Sequence, residues 1–250
     1  GVKVIPSRLS ILTKRINNER GVCYYCGQCG RSCGVYADFS ASSCLVFPAQ
    51  RSSQGRLDLY VNSMVREISV DNDGKANGII YINKEDNKEY KINAKVVVLA
   101  ASACESARIL LNSKSKYHEN GIGNSSNMVG KYLHDSTGTN NMAFIPDLMN
   151  RKTYNEDGMG NMHLYTPWWL DNKNLDFPRG YHIEVWGGLG APAYGFGFNY
   201  NSLNKYFGIE IGGYGDRVRE EVKKYYGSTI GFSTRGEAVP NKNNYCEIDP

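Results

Sequence analysis

Four cysteines within eleven residues are the first feature of this chain that could carry chemistry: Cys23-x2-Cys26-x2-Cys29-x3-Cys33. A short loop punctuated by Gly27, Gly30 and Gly34 can turn several thiolates toward one centre, and the spacing is that of a bacterial ferredoxin cluster loop. The loop departs from that pattern in placing Gly34 where proline ordinarily follows, and no second cysteine set accompanies it. In two-cluster ferredoxins the fourth cysteine serves the other cluster, so three of these four could hold a three-iron centre instead. Four thiolates also suit a closed zinc site. Disulfides or free thiols are the third reading, and disulfides gain weight in an exported protein. Cys44, Cys104 and Cys246 are scattered, and Cys104 is expected to act as a buried small hydrophobe.

The second place is a junction. Val96–Ala101 is a continuous apolar, β-branched run, as expected of a strand buried on both faces. Ser102 follows as a plausible N-cap, Glu105 stands three residues on in a capping-box pattern, and Asn112 closes the helix. Small residues where a buried strand hands over to a helix let a ribose or phosphate approach the backbone, and the helix N-terminus favours negative charge. The same composition also serves ordinary α/β packing.

The elements that must position these groups are antiparallel. Leu57–Val61 and Met64–Val70 alternate at period two. Asp71-Asn72-Asp73-Gly74 supplies a hairpin turn, and Ala76–Ile82 and Glu89–Ile92 return as strands. A Gly/Asn/Ser-rich loop spans 115–136. Beyond it come short strands at Met142–Ile145, His182–Trp186 and Phe207–Ile211, and a charged helix over Asp216–Tyr226. The fold class is therefore α/β in the mixed α+β sense.

Composition limits the function classes. With 250 residues, 41% hydrophobic and 22% charged, the chain can bury a core. Its net charge of +4 is too small and too evenly spread to imply a nucleic-acid partner. The longest apolar run, Val96–Ala101, falls far short of the ~20 residues a membrane span needs. The opening GVKVIPSRLS does not read as a signal peptide. Transmembrane, collagen-like and coiled-coil classes are excluded. Tyr outnumbers Phe 18 to 8, a polar aromatic surface that suits sugar-like ligands.

Four ordered segments carry a resemblance: CYYCGQCGRSC followed by FPAQ, VVVLAASACESARILLNS, GNSSNMVGKYLHDS and EAVPNKNNYCEIDP. Together they resemble the glucose–methanol–choline (GMC) family of FAD-dependent oxidoreductases, in its cysteine-bearing bacterial branch. The family carries VVLAAGAxxSARLLL-type, GNSSxxVGRxLxDH and E-x-x-P-x-x-x-N-x-(V/L)-x-L-D-P elements at these places.

The resemblance implies that residues 1–136 are the middle part of an FAD-binding domain and residues 137–250 part of an antiparallel substrate domain. It implies FAD as cofactor, with cofactor-binding positions at Val65, Ala101, Ser102 and Asn124. Val65 would offer its backbone to the adenine edge, and Ser102 stands where the family usually has Gly. Cys23, Cys26, Cys29 and Cys33 become candidate iron–sulfur ligands. A sugar, polyol or other alcohol is implied as substrate, with a non-O2 acceptor, a cytochrome or small-subunit partner, and a periplasmic setting. The family's G-x-G-x-x-G element and C-terminal catalytic His have no counterpart here, so no catalytic residue is assigned. The chain reads as a fragment or one piece of a split protein, expected to be inactive alone and to hold FAD weakly or not at all. A structure in which Val96–Ala101 is helical, or solvent-exposed at an edge, would sink this reading.

Among the histidines, His134 lies one position before the family's Asp-His histidine and has a surface reading beside the functional one. His163 and His182 are assigned no catalysis. Tyr165, Trp168, Trp169 and Trp186 suit a sugar-facing surface or a core. Two other function classes stand beside the enzyme: an iron–sulfur electron-transfer module, and a non-catalytic carbohydrate-binding β-domain.

Overall fold

The computed structural model describes the chain except residues 1, 7–8, 27–28, 30–31, 152–163, 168–173, 175, 178, 188–204, 206–207, 210–213 and 250. His163, Trp168 and Trp169 lie outside the described residues, as does most of the expected Phe207–Ile211 strand. The architecture is mixed α and β, with two antiparallel sheets. Two compact units form: Gly1–Gln54 with Ser136–Glu237, and Gly55–Asp135 with Ala238–Pro250. They follow contacts rather than order along the chain.

The unit around Gly55–Asp135 is built on a three-stranded sheet of β2 (Ser63–Val70), β3 (Ala76–Asn83) and β4 (Glu89–Asn93). Its first turn forms because the Asp71 carboxylate accepts the amides of Asp73 and Lys75, both at 2.9 Å, while Gly74 takes φ +78°. The second turn is held by Asp86, which accepts the Lys88 amide and the Tyr90 hydroxyl. Helix α2 (Ala103–Asn112) lies against β2. Ile68, Tyr81, Ala107 and Ile109 form its buried apolar core. The outer edge of β2 is closed by side chains from the helix end, since the Ser113 hydroxyl accepts the Ile68 amide at 2.8 Å and donates to the Ile109 carbonyl at 2.6 Å. A strand edge otherwise left open is capped in this way.

Several expectations are corrected here. Leu57–Val61 is not a strand; Leu59, Tyr60 and Val61 are exposed. Val96–Ala101 pairs with no strand among the described residues, and Val96 and Val98 are 75% and 84% exposed. An apolar β-branched run states a preference for a buried sheet, but the strand needs a hydrogen-bonded neighbour to form. Ser102 is the N-cap of α2 but makes no side-chain capping bond, and Glu105 pairs with Arg108 rather than completing a capping box. Cys104 is exposed rather than buried.

The other unit carries a six-stranded antiparallel sheet in the order β1 (Ile5–Pro6), β7 (Leu164–Thr166), β8 (Tyr181–Gly187), β9 (Thr229–Glu237) and β5 (Ser136–Thr137). Strand β6 (Asn140–Phe144) also pairs with β9, alongside β5. At the centre Gly231 faces Trp186, and a Cβ there would stand 2.5 Å from the indole, so the close packing requires glycine. The N-terminal part adds a short helix, α1 (Phe47–Ser52). The last helix, α3 (Asp216–Tyr225), has Asp216 in its first turn and Lys223 and Lys224 in its last, as the helix dipole favours. No helix among the described residues is long and apolar enough to cross a membrane.

Candidate functional site

One open cleft of about 640 Å³ lies in the Gly55–Asp135 unit, within the ~300–1,000 Å³ usual for small-ligand sites. Its floor is apolar (Ile68, Ile79, Ile92), one wall is the Val96–Ala101 segment, and Val65, Glu105 and Arg108 line it from β2 and α2. Of the sequence-assigned cofactor positions, the structure brings Val65 and Ala101 together here.

Ser102 adjoins this wall, and its backbone is informative. It takes φ +74° and ψ 172°, a region reserved almost wholly for glycine. The chain thus adopts a glycine conformation at the very position where the resemblance has glycine. The path of the junction is dictated by its surroundings and not by the residue that occupies it.

Val65 was assigned through its backbone, and that backbone is already engaged. Arg108 Nη2 donates to the Val65 carbonyl at 2.7 Å, while Arg108 Nε donates to Glu105 Oε2 at 2.9 Å. The carbonyl contact has no sequence signature, whereas the (i, i+3) spacing of Glu105 and Arg108 suits the ion pair they form.

Asn124 lies elsewhere, beside a smaller hollow of about 260 Å³. Its side chain is buried, donating to the Asn120 carbonyl at 2.8 Å and accepting the Val129 amide at 3.0 Å. Those bonds shape its own loop. Nearby, His118 Nε2 meets the Gly74 carbonyl at 2.9 Å and ties the loop to the β2–β3 turn, a role the sequence reading missed. His134 is exposed, with Nδ1 3.1 Å from the Tyr132 carbonyl. His182 meets Glu184 Oε1 at 3.2 Å on β8, and Tyr165 packs edge-on to its ring.

The cysteine loop is closed at its neck. Arg20 donates from Nε to the Tyr36 carbonyl at 2.9 Å and from Nη2 to the Ala37 and Asp38 carbonyls, and the Gly21 amide reaches the Val35 carbonyl at 2.7 Å. Inside the loop the Cys23 sulfur accepts the Tyr25 amide and the Cys33 sulfur accepts the Ala37 amide. The Tyr24 hydroxyl is pushed above its ordinary value, chiefly by its hydrogen bond with Cys26 and then by the charge that thiol carries when ionised. Cys26 and Cys29 are exposed, and Cys23 and Cys33 are half-buried. Among the described residues, no three His, Cys, Asp or Glu side chains are gathered to hold a metal.

With the cleft and loop described, the class is defined by comparison. The profile of the family described as GMC oxidoreductase matches residues 7–137, slightly more than half of the chain. The chain belongs to that family. It is 29% identical over 194 residues to a 2-methyl-1,2-propanediol dehydrogenase from Mycolicibacterium austroafricanum, covering 77% of this chain and 33% of that protein. It is also 27% identical over 88 residues to a 6'''-hydroxyparomomycin C oxidase from Streptomyces lividus, covering 35% of this chain and 16% of that protein. The chain thus spans about a third or less of the length of these curated relatives.

Proposed function

We propose that this chain is part of an FAD-dependent oxidoreductase that acts on the CH–OH group of an alcohol, sugar or polyol and delivers electrons to an acceptor other than O2. The single observation that supports it most is the cleft lined by both Val65 and Ala101, beside a Ser102 backbone shaped for glycine. A cleft of this size with an apolar floor suits the adenosine half of FAD, while Glu105 and Arg108 give it a polar rim. In this reading Val65, Ala101 and Ser102 hold that half, and Asn124 shapes the neighbouring loop. FAD, when bound, supplies acceptance of a hydride from the substrate carbon. No described residue is assigned the base that takes the hydroxyl proton. The division into an FAD-binding part, residues 1–136, and a substrate part, residues 137–250, belongs to the same proposal.

The relatives' names support the alcohol class through a diol and a hydroxylated paromomycin. The sugar or polyol preference and the cytochrome acceptor rest on the resemblance alone. The iron–sulfur reading of Cys23, Cys26, Cys29 and Cys33 is supported by spacing and not by the described geometry, and no step is drawn through it.

The test is the visible spectrum of the full-length protein under anaerobic conditions. Two flavin bands should be present, and a diol or sugar should bleach them, with an artificial acceptor then restoring colour faster than O2. A brown shoulder without flavin favours the electron-transfer module instead. A colourless protein that binds sugar favours the carbohydrate-binding domain.

A further inference from the structure

The β2–β3 hairpin is not regular. Its register slips between Val65 and Glu67, so Arg66 has no counterpart on β3. A bulge on an edge strand leaves backbone groups that need partners from outside the ladder. Arg108 provides them: Nη2 reaches the Val65 carbonyl at 2.7 Å and Nη1 reaches the Arg66 carbonyl at 3.5 Å. The ion pair with Glu105, one turn earlier on α2, aims the fork. A planar guanidinium can span two successive carbonyls in fixed geometry, which a lysine ammonium cannot.

We propose that Arg108 is a positioning residue for the adenosine end of the cofactor: by holding the Val65–Arg66 bulge, it sets the cleft's backbone edge and its preference for a dinucleotide over a mononucleotide flavin. The inference rests on the reading that the cleft takes the adenosine half of FAD. Three side chains of α2 and its C-cap secure this edge of β2, namely Arg108, Asn112 and Ser113. Only Arg108 also lines the cleft. Ser113 does the same structural work on Ile68, so it separates loss of the sheet–helix join from loss of the cleft's shape.

The experiment uses full-length apoprotein titrated separately with FAD and with FMN, which lacks the adenylate half. Arg108→Met should raise the Kd for FAD at least tenfold and leave that for FMN within twofold. Arg108→Lys should fall between Arg108→Met and the parent. Ser113→Ala should lower the thermal midpoint while leaving the FAD-to-FMN affinity ratio unchanged. Equal weakening of FAD and FMN by Arg108→Met overturns the proposal, as does an unchanged FAD affinity. Ala101→Trp, which fills the cleft, separates the two failures. If Ala101→Trp abolishes FAD binding and Arg108→Met does nothing, only the role of Arg108 is wrong. If Ala101→Trp leaves FAD binding intact, the cleft reading fails and the inference with it.

Discussion

The Ser113 hydroxyl accepts a hydrogen bond from the Ile68 amide at 2.8 Å and donates one to the Ile109 carbonyl at 2.6 Å, joining the end of α2 to the edge of β2 through one oxygen. Ser113 is 3% exposed, so the bond is shielded from bulk solvent. Ser113→Ala strands a buried donor, at a cost of about 1–3 kcal/mol. Denaturant unfolding should show a lower midpoint with unchanged slope; a midpoint equal to the parent's contradicts the role of this bond.

Ser102 pays for its glycine-like backbone in strain. A non-glycine residue there carries about 1–3 kcal/mol, of which glycine's greater unfolded-state entropy returns about 0.5–1 kcal/mol. Ser102→Gly should therefore stabilise the protein by roughly 1 kcal/mol on these figures. Thermal unfolding checks the sign, and a destabilised variant means the Ser102 side chain makes an interaction of its own.

Both turns of the small sheet are pH-sensitive in a defined direction. The Lys75 and Asp73 amides hold the Asp71 carboxyl below its ordinary range, and the Tyr90 hydroxyl and Lys88 amide do the same for Asp86. Their contribution is complete above the unfolded carboxylate value of ~4 and is lost as pH falls through the lower folded-state values. Stability measured from neutral pH downward should drop through this window in the parent. It should drop less in the Asp71→Asn/Asp86→Asn double variant, and parallel curves contradict the assignment.

This hairpin sheet was legible in the sequence because its signals are local: β-branched alternation, and an Asp-Gly turn whose chemistry fixes the register. Strand β9 was not, because its buried face is Thr229, Gly231 and Ser233 while Phe232 is partly exposed, so hydrophobic alternation gives no sign of it. Val96–Ala101 misled for the opposite reason, since its composition speaks of burial and its pairing depends on a neighbour. At the cleft, Val65 and Ala101 were recognisable from motif. Arg108 was not, nor was Arg20 at the neck of the cysteine loop, because a side chain that clamps backbone carbonyls distant in sequence leaves no spacing signature.

The cysteine loop can be tested apart from the flavin. In the full-length enzyme, Cys26→Ser/Cys29→Ser should abolish reduction of a cytochrome acceptor while substrate still reduces flavin. If both activities persist unchanged, the loop is structural, held by its Arg20 neck.

Photolabelling reads directly whether the cleft between β2 and α2 takes the adenosine half of FAD. Full-length apoprotein is loaded with an azidoadenine analogue of FAD, irradiated, digested and mapped by mass spectrometry. The adduct should fall on Ser63–Val70 or on residues 96–108, and excess FAD should suppress it. An FAD-protected adduct confined to residues outside these two segments would contradict the account.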